Sequence, residues 1–150
     1  PLMQQDGFNV FLTELNSFRT FVEVETEGVI QPDSNLDCKV SRYNVSPKLA
    51  NSGMPKVKRY NKSVLEWHAH RSQGRSIFKF VVRDHKDVVE VSDFQFDITI
   101  PADRIWLMPC VTSKAEHDLM APEVAKWAMS AGYNFSPRLH IQLWDQTTGV

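Results

Sequence analysis

The run Ile77-Phe78-Lys79-Phe80-Val81-Val82 most limits what this chain can become. It is short, nearly all apolar and rich in β-branched and aromatic side chains. Such runs are strands buried in a parallel sheet, and parallel sheets need helices to cover them. The neighbouring segments supply both. Phe8, Phe11, Leu12, Leu15 and Phe18 fall on one face of a helix over 3–18. Residues 21–26 alternate, with Phe21, Glu23 and Glu25 on one side and Val22 and Val24 on the other, a strand that Gly28 stops. The Asp33-Ser34-Asn35 loop leads to a strand over 38–45, closed by Ser46-Pro47. Asn51, Ser52, Gly53 and Pro55 make 48–59 irregular and exposed.

Asn61 is positioned to cap a helix over 62–71 whose inner face is Val64, Leu65 and His68, with Gly74 at its end. Beyond the apolar strand come a short helix over 86–94 and a strand over 104–108 stopped by Pro109. Ser113 and Glu116 have capping-box spacing. A helix over 122–131 opens at Pro122, closes at Gly132 and turns Val124, Trp127, Ala128 and Ala131 inward. A last strand covers 138–144. Strands alternating with helices predict an α/β fold with a largely parallel sheet and flanking helices. In such sheets function collects at the carboxyl ends of the strands: here 25–28, 46–48, 83–84, 108–110 and 144–145.

Composition removes several function classes. The 17 Lys and Arg balance 18 Asp and Glu, a net charge of −1, which argues against a broad grip on nucleic acid or anionic membrane. No apolar run approaches the ~18–20 residues that span a bilayer. The opening residues, from Pro1 to Asp6, have neither the basic nor the apolar region of a secretory signal. Cys38 and Cys110 are far apart and form no CxxC pair, so a reducing, cytoplasmic home is expected, with no cluster chemistry from these residues alone. The 150 residues show no repeat or linker and read as one domain. A start at Pro, almost directly on a helix, suggests a fragment.

Candidate chemistry is sparse. His68 and His70 face different ways on a helix, and His85, His117 and His140 lie in separate elements, so scattered packing histidines are the simpler reading than a metal site. Cys110, after a strand end, is either a nucleophile or a free thiol; no paired base accompanies it. Glu23 and Glu25 share one face of an apolar strand. They are either the wet side of an edge strand or carboxylates that accept N–H donors of a purine- or pterin-like ring. On a strand over 138–144, His140, Gln142 and Trp144 would share one face, suited to stacking on a heterocycle or simply amphipathic.

A family resemblance then joins these positions. Pro1-Leu2-Met3-Gln4-Gln5 resembles the stretch directly after Gly-Gly-Glu in the GGEPL motif of a radical S-adenosylmethionine (SAM) enzyme. Val24-Glu25-Thr26-Glu27-Gly28 is similar to an ETNG motif, and Val45-Ser46-Pro47-Lys48-Leu49 to a VSPKL motif. Phe78-Lys79-Phe80-Val81-Val82, Leu107-Met108-Pro109 and Ser136 through Trp144 come next, with Gly149-Val150 at the end. In this order they resemble the 7-carboxy-7-deazaguanine synthases.

The resemblance implies a partial, abridged (β/α) barrel of the radical SAM type, with 1–150 as the C-terminal part of a single core domain. The family carries out the ring contraction of 6-carboxy-5,6,7,8-tetrahydropterin to 7-carboxy-7-deazaguanine, as a lyase, using SAM, a four-iron–four-sulfur cluster and Mg²⁺. The product serves 7-deazaguanine (queuosine-type) modification of tRNA or, in some viruses, of DNA. Carried over residue by residue, Ser46, Pro47, Lys48, Met108, Pro109, Cys110 and Val111 would contact SAM. Glu25, Gln142, Trp144 and the carboxylate of Val150 would contact the pterin. The ligands of the cluster and of Mg²⁺ are expected outside this chain, leaving the fragment inactive alone. A homodimer with no direct contact to nucleic acid or membrane is implied.

The sequence departs from the pattern at Glu27, where Asn is usual, and at Cys110, where Glu is common. Where some members have His in the last strand it has Trp144, which favours stacking over acid–base work there. Two rivals stand beside this reading: a non-catalytic half-barrel that binds a pterin or purine, and a different radical SAM activity such as an activating enzyme.

Overall fold

The computed structural model describes residues 2–16, 20–147 and 149. Pro1, Phe18 and Val150, each invoked above, lie outside them. Five strands form one sheet in the order β1 (Glu23–Thr26), β2 (Arg42–Val45), β3 (Ser76–Val82), β4 (Ile105–Pro109) and β5 (Asn134–Phe135), every pair parallel. Spatial order equals chain order. Because parallel crossovers are right-handed, a sheet that grows in one direction puts its helices on one face and leaves the other without them, as in a segment of barrel wall.

Burial follows that asymmetry. On β3, Ser76, Phe78, Phe80 and Val82 are buried, while Ile77, Lys79 and Val81 are only half-buried. Register carries the same division across the sheet. Val45, Phe78 and Ile105 are aligned on the covered face, and Glu25, Asn44 and Ile77 on the open one. The apolar run is thus the middle strand of a parallel sheet, but only one of its faces is sealed.

The helices are α1 (Gln5–Asn16), α2 (Ser34–Asp37), α3 (Lys56–Arg59), α4 (Lys62–Glu66), α5 (His85–Ile98), α6 (Lys114–Ala131) and α7 (Leu139–Trp144). The chain passes from α4 directly into a π-helical turn, Trp67–Arg71. Leu12 is buried and Phe8 and Leu15 pack on the core, whereas Phe11 is exposed. Val64, Leu65 and His68 point inward as expected. Asn61 makes no capping bond; its Nδ2 donates to the Val29 carbonyl at 3.2 Å instead. Both capping boxes have strong chemistry. Asp84 and Asp87 close the start of α5, and Ser113 and Glu116 that of α6.

Several expectations are corrected. Residues 138–144 are not a strand: α7 occupies 139–144, and the fifth strand is the two-residue Asn134–Phe135. In a helix Ile141 alone of that segment is buried, so His140, Gln142 and Trp144 do not share one face. Pro122 does not open the third major helix. It lies within α6, whose first turn is set by the Ser113 box, and Val124 and Ala128 are buried as the stripe required. The second strand is 42–45 rather than 38–45, because Asp33 accepts the Leu36 N–H at 2.8 Å and winds α2 ahead of it. Residues 48–59 are neither irregular nor wholly exposed. They include the 3-10 turn Ala50–Ser52 and α3, and they bury Leu49 and Arg59. The helix expected over 86–94 runs from 85 to 98.

His68 sits between the edges of Tyr43 and Trp67, ring centroids 5.0 and 4.9 Å away, with Nδ1 3.1 Å from Ser76 Oγ. Burial lowers its pKa from 6.5 to about 4, against a small opposing pull from Asp37. The unfolded chain therefore takes up this proton before the folded one does. Stability due to neutral His68 is whole above pH 6.5 and is lost as pH falls toward 4, by up to about 1.4 kcal/mol per pH unit. In urea titrations at pH 7 and pH 4.5, His68→Leu should show a smaller acid loss than the unsubstituted protein; equal losses would contradict this. Gly28 offers a second check. Its φ is +75°, and a Cβ there would stand 2.7 Å from Leu65 Cδ2 and 2.9 Å from Val45 Cγ1. Gly28→Ala should cost about 2–3 kcal/mol, read as a lowered thermal midpoint.

Candidate functional site

The open face of the sheet, at its carboxyl end, floors a cleft of about 1030 Å³. That is large for a single small ligand. Glu25 comes from the end of β1, Asn44 and Ser46 from β2 and the residue after it, Lys79 and Val81 from β3, and Met108 from β4. The wall beyond β4 is 136–140, the segment entering α7, and the opposite wall includes Leu2, Met3 and Gln4. Parallel pairing delivers these side chains to one place from distant parts of the chain.

Buried polar contacts hold the segment after β2 against the sheet. Arg59 is buried; its Nη1 donates to Glu90 Oε1 at 2.7 Å and to the Lys48 carbonyl at 3.0 Å, and its Nε to the Met54 carbonyl at 3.1 Å. Glu90 Oε2 accepts the Ala50 N–H at 2.8 Å. Asn51 Nδ2 donates to the Val81 carbonyl at 2.9 Å and to Asp87 Oδ2 at 2.8 Å. The backbone of 46–51 is thereby tied to β3 and to the first turns of α5. Across the cleft, Arg138 Nη1 donates to the Val111 carbonyl at 2.8 Å and fixes the segment after β4.

The charges in the cleft are of two kinds. Lys48 Nζ lies 3.6 Å from Glu27 Oε1, both partly exposed, so the unusual Glu27 pairs with the lysine of the neighbouring motif. Such a pair adds little stability, but it fixes where Lys48 reaches. Glu25 is exposed and Lys79 half-buried, and neither has a hydrogen-bond or ion-pair partner among the described residues.

Of the residues singled out from sequence, Glu25, Ser46, Lys48 and Met108 line this cleft together. Pro47, Pro109 and Val111 are buried beside it, and Cys110 is exposed just past β4. Gln142 belongs to a separate, shallower cleft of about 410 Å³ with His117 and Phe135. Trp144 lines neither cleft and is exposed at the end of α7. Leu139 and His140, not Gln142 or Trp144, are the α7 residues that line the large cleft, and His140 is the polar one. Sequence reasoning passed over Asn44 and Lys79. Lys79 had a legible signal, a single charge inside an otherwise apolar strand; Asn44, between Tyr43 and Val45, had only alternation.

Among the described residues no group of three or more His, Cys, Asp or Glu is placed to hold a metal ion. Cys38 caps the end of α2 ahead of β2, and Cys110 follows β4, so the two thiols lie toward opposite ends of a parallel sheet. No described helix is long and apolar enough to cross a membrane.

No protein-family model matches the chain. Curated proteins do. A 7-carboxy-7-deazaguanine synthase of Pyrobaculum aerophilum is 38% identical over 130 residues, covering 85% of this chain and 54% of that protein. One of Halobacterium salinarum is 33% identical, covering 97% and 62%, and one of Hyperthermus butylicus 30% identical, covering 94% and 60%. The chain thus spans a little over half the length of the curated relatives it matches.

The Arg59 network makes the cleft testable. Arg59→Met should cost about 3 kcal/mol by leaving Glu90 and two carbonyls without their donor. It should also raise amide exchange across 46–51 beyond that of the rest of the sheet. Uniform exchange after the substitution would show that Arg59 does not order this edge of the cleft.

Proposed function

From the premise that this chain is a relative of the 7-carboxy-7-deazaguanine synthases, we propose that it forms one wall of the SAM and pterin pocket of such an enzyme. The observation that carries this reading is the convergence of Glu25, Ser46, Lys48 and Met108 on one cleft at the carboxyl ends of parallel strands. The reaction is the radical ring contraction of 6-carboxy-5,6,7,8-tetrahydropterin to 7-carboxy-7-deazaguanine. In open α/β sheets this end of the strands is where small ligands bind.

Within that reading the roles divide by chemistry. Ser46 and Lys48, with Met108 and the backbone of 109–111, hold SAM, and a cleft of this size accommodates it beside a pterin. SAM supplies the radical chemistry when bound; the chain binds and orients. Glu25 accepts N–H donors from the heterocycle. His140, which lines the cleft where Gln142 and Trp144 do not, takes over as the polar α7 residue facing the substrate.

The residues present do not fit an iron–sulfur cluster. Cluster iron needs several thiolates, and this chain has two, toward opposite ends of the sheet. The cluster ligands, and those of Mg²⁺, are proposed to come from outside these 150 residues. The reading also carries a homodimer in the cytoplasm, with a pterin as its direct partner and the modified nucleic acid downstream.

Assayed in the protein that carries this chain, with SAM and a reductant, 6-carboxytetrahydropterin should be converted. Glu25→Ala should weaken pterin binding roughly tenfold to hundredfold, the loss of hydrogen bonds to a charged acceptor, with SAM binding kept. Unchanged pterin binding and turnover would remove Glu25 from the site. Pterin binding without turnover in the unsubstituted protein would favour the non-catalytic module.

A further inference from the structure

Lys79 stands on β3, the middle strand of the sheet, facing the cleft rather than the helices. Its neighbours on the same face along the strand are Ile77 and Val81, and its register partner on β4 is Trp106. With apolar neighbours on its own face, Lys79 has no protein anion beside it among the described residues, and an anion in the cleft can meet it. Lys48, the other lysine of the cleft, has Glu27; Lys79 has no partner among the described residues.

Glu25 is the complementary case, a carboxylate on the same face and also without a partner. The register Glu25↔Asn44↔Ile77 puts β2 between them, about 10 Å across the sheet, with Lys79 two residues further along β3. Asn44 lies on the path. Its Nδ2 donates to Glu23 Oε1 at 2.6 Å, and because a carboxylate can only accept, the amide is held with Oδ1 turned away from Glu23. That Oδ1 is buried and has no hydrogen-bond partner, in a side chain more than nine-tenths buried on the cleft wall. From β1 to β3 the order is an exposed carboxylate, a buried amide oxygen without a donor, and a cation.

We propose that Lys79 anchors a ligand carboxylate and that the pterin lies across β2, its amino-pyrimidine edge on Glu25 and its C6 carboxylate on Lys79. This pose rests on the pterin reading above and deepens it. The pterin presents N–H donors at one end of two fused rings and an anion at the other, in the order in which Glu25 and Lys79 stand across β2. The lysine stem is long and flexible enough to cover the offset along the strand. SAM also carries a carboxylate, so the same ammonium has two candidate partners, separable by experiment.

The test compares ligand pairs that differ only in a carboxylate, on the protein carrying this chain and on Lys79→Met and Lys79→Arg. The probes are 6-carboxypterin against unsubstituted pterin, followed by fluorescence, and SAM against decarboxylated SAM, followed by calorimetry. The unsubstituted protein should prefer 6-carboxypterin by roughly tenfold to hundredfold. Lys79→Met should erase that preference by weakening 6-carboxypterin alone, Lys79→Arg should keep part of it, and the SAM pair should be unaffected. If Lys79→Met, folded by its circular dichroism, keeps both preferences, the anchor is overturned while the functional reading stands. If the preference lost is that for SAM, the pterin pose is overturned. If the unsubstituted protein binds no pterin and no SAM, the functional reading itself has failed and the pose falls with it.

Discussion

Everything at the cleft depends on five strands pairing in parallel in the order they occur in the chain. Parallel ladders cannot be closed by tight turns, so each strand must be followed by a crossover, and each crossover here turns the same way. The consequence is a sheet with two unlike faces. One is packed by α5 and α6 through Phe78, Phe80, Val82, Ile105 and Leu107, all buried. The other carries Glu25, Asn44, Lys79 and Met108 and is left for ligands. A doubly wound order would have placed helices on both faces and filled this floor. The sequential order is therefore a functional property as much as an architectural one.

The sheet alone does not position the cleft's first wall. The chain leaves β2 at Val45 and must turn back over the strand ends before descending into α4. Ser46 and Lys48 lie in that turn, where a free loop would wander. Arg59 and Glu90 take up its backbone groups, and the Asn51 side chain ties it to the Val81 carbonyl and to Asp87; Glu90 and Asp87 belong to α5, which is itself seated on β3. A buried arginine satisfied by one carboxylate and two carbonyls is costly to bury and costly to break, which makes it effective at specifying a single loop position. The polar loop residues that the sequence suggests as solvent-facing are thus, in part, the fastening of the site.

The sequence made the covered face legible and the open face partly so. The strands expected over 21–26 and 77–82 stand at 23–26 and 76–82, and the inner faces of α4 and α6 and the Ser113–Glu116 box follow from periodicity and from side chains that must satisfy helix ends, whereas the Asp84–Asp87 box is a finding of the structure. Ser46, Lys48, Met108 and Glu25 were found because strand ends are where parallel sheets act, and the family resemblance fell on the same places. The misreading of 138–144 has a definite cause. Alternation of His140, Ile141, Gln142, Leu143 and Trp144 suits a strand, yet only Ile141 has a core to enter, and a short helix buries one residue in this stretch while leaving the rest exposed. The split of α6 has another: Pro122 looks like a first-turn residue, but the Ser113 box well before it had already started the helix. Tertiary context overrides local pattern where the segment is short.

Lys79 shows what periodicity leaves unsaid. By alternation it is one polar position in an apolar strand, a defect to be tolerated. By topology it is a cation at the centre of the face without helices, across β2 from a carboxylate that has no partner among the described residues and beside an asparagine amide whose orientation another carboxylate has fixed. Structural charges in this chain are generally answered: Arg59 by Glu90, Arg75 by Asp37, Lys48 by Glu27. Charges left unanswered on an open sheet face are where recognition is expected, because a ligand of opposite charge can pair with them without displacing a protein partner. The electrostatic pattern of the cleft, and not its volume, therefore gives the direction in which a substrate lies.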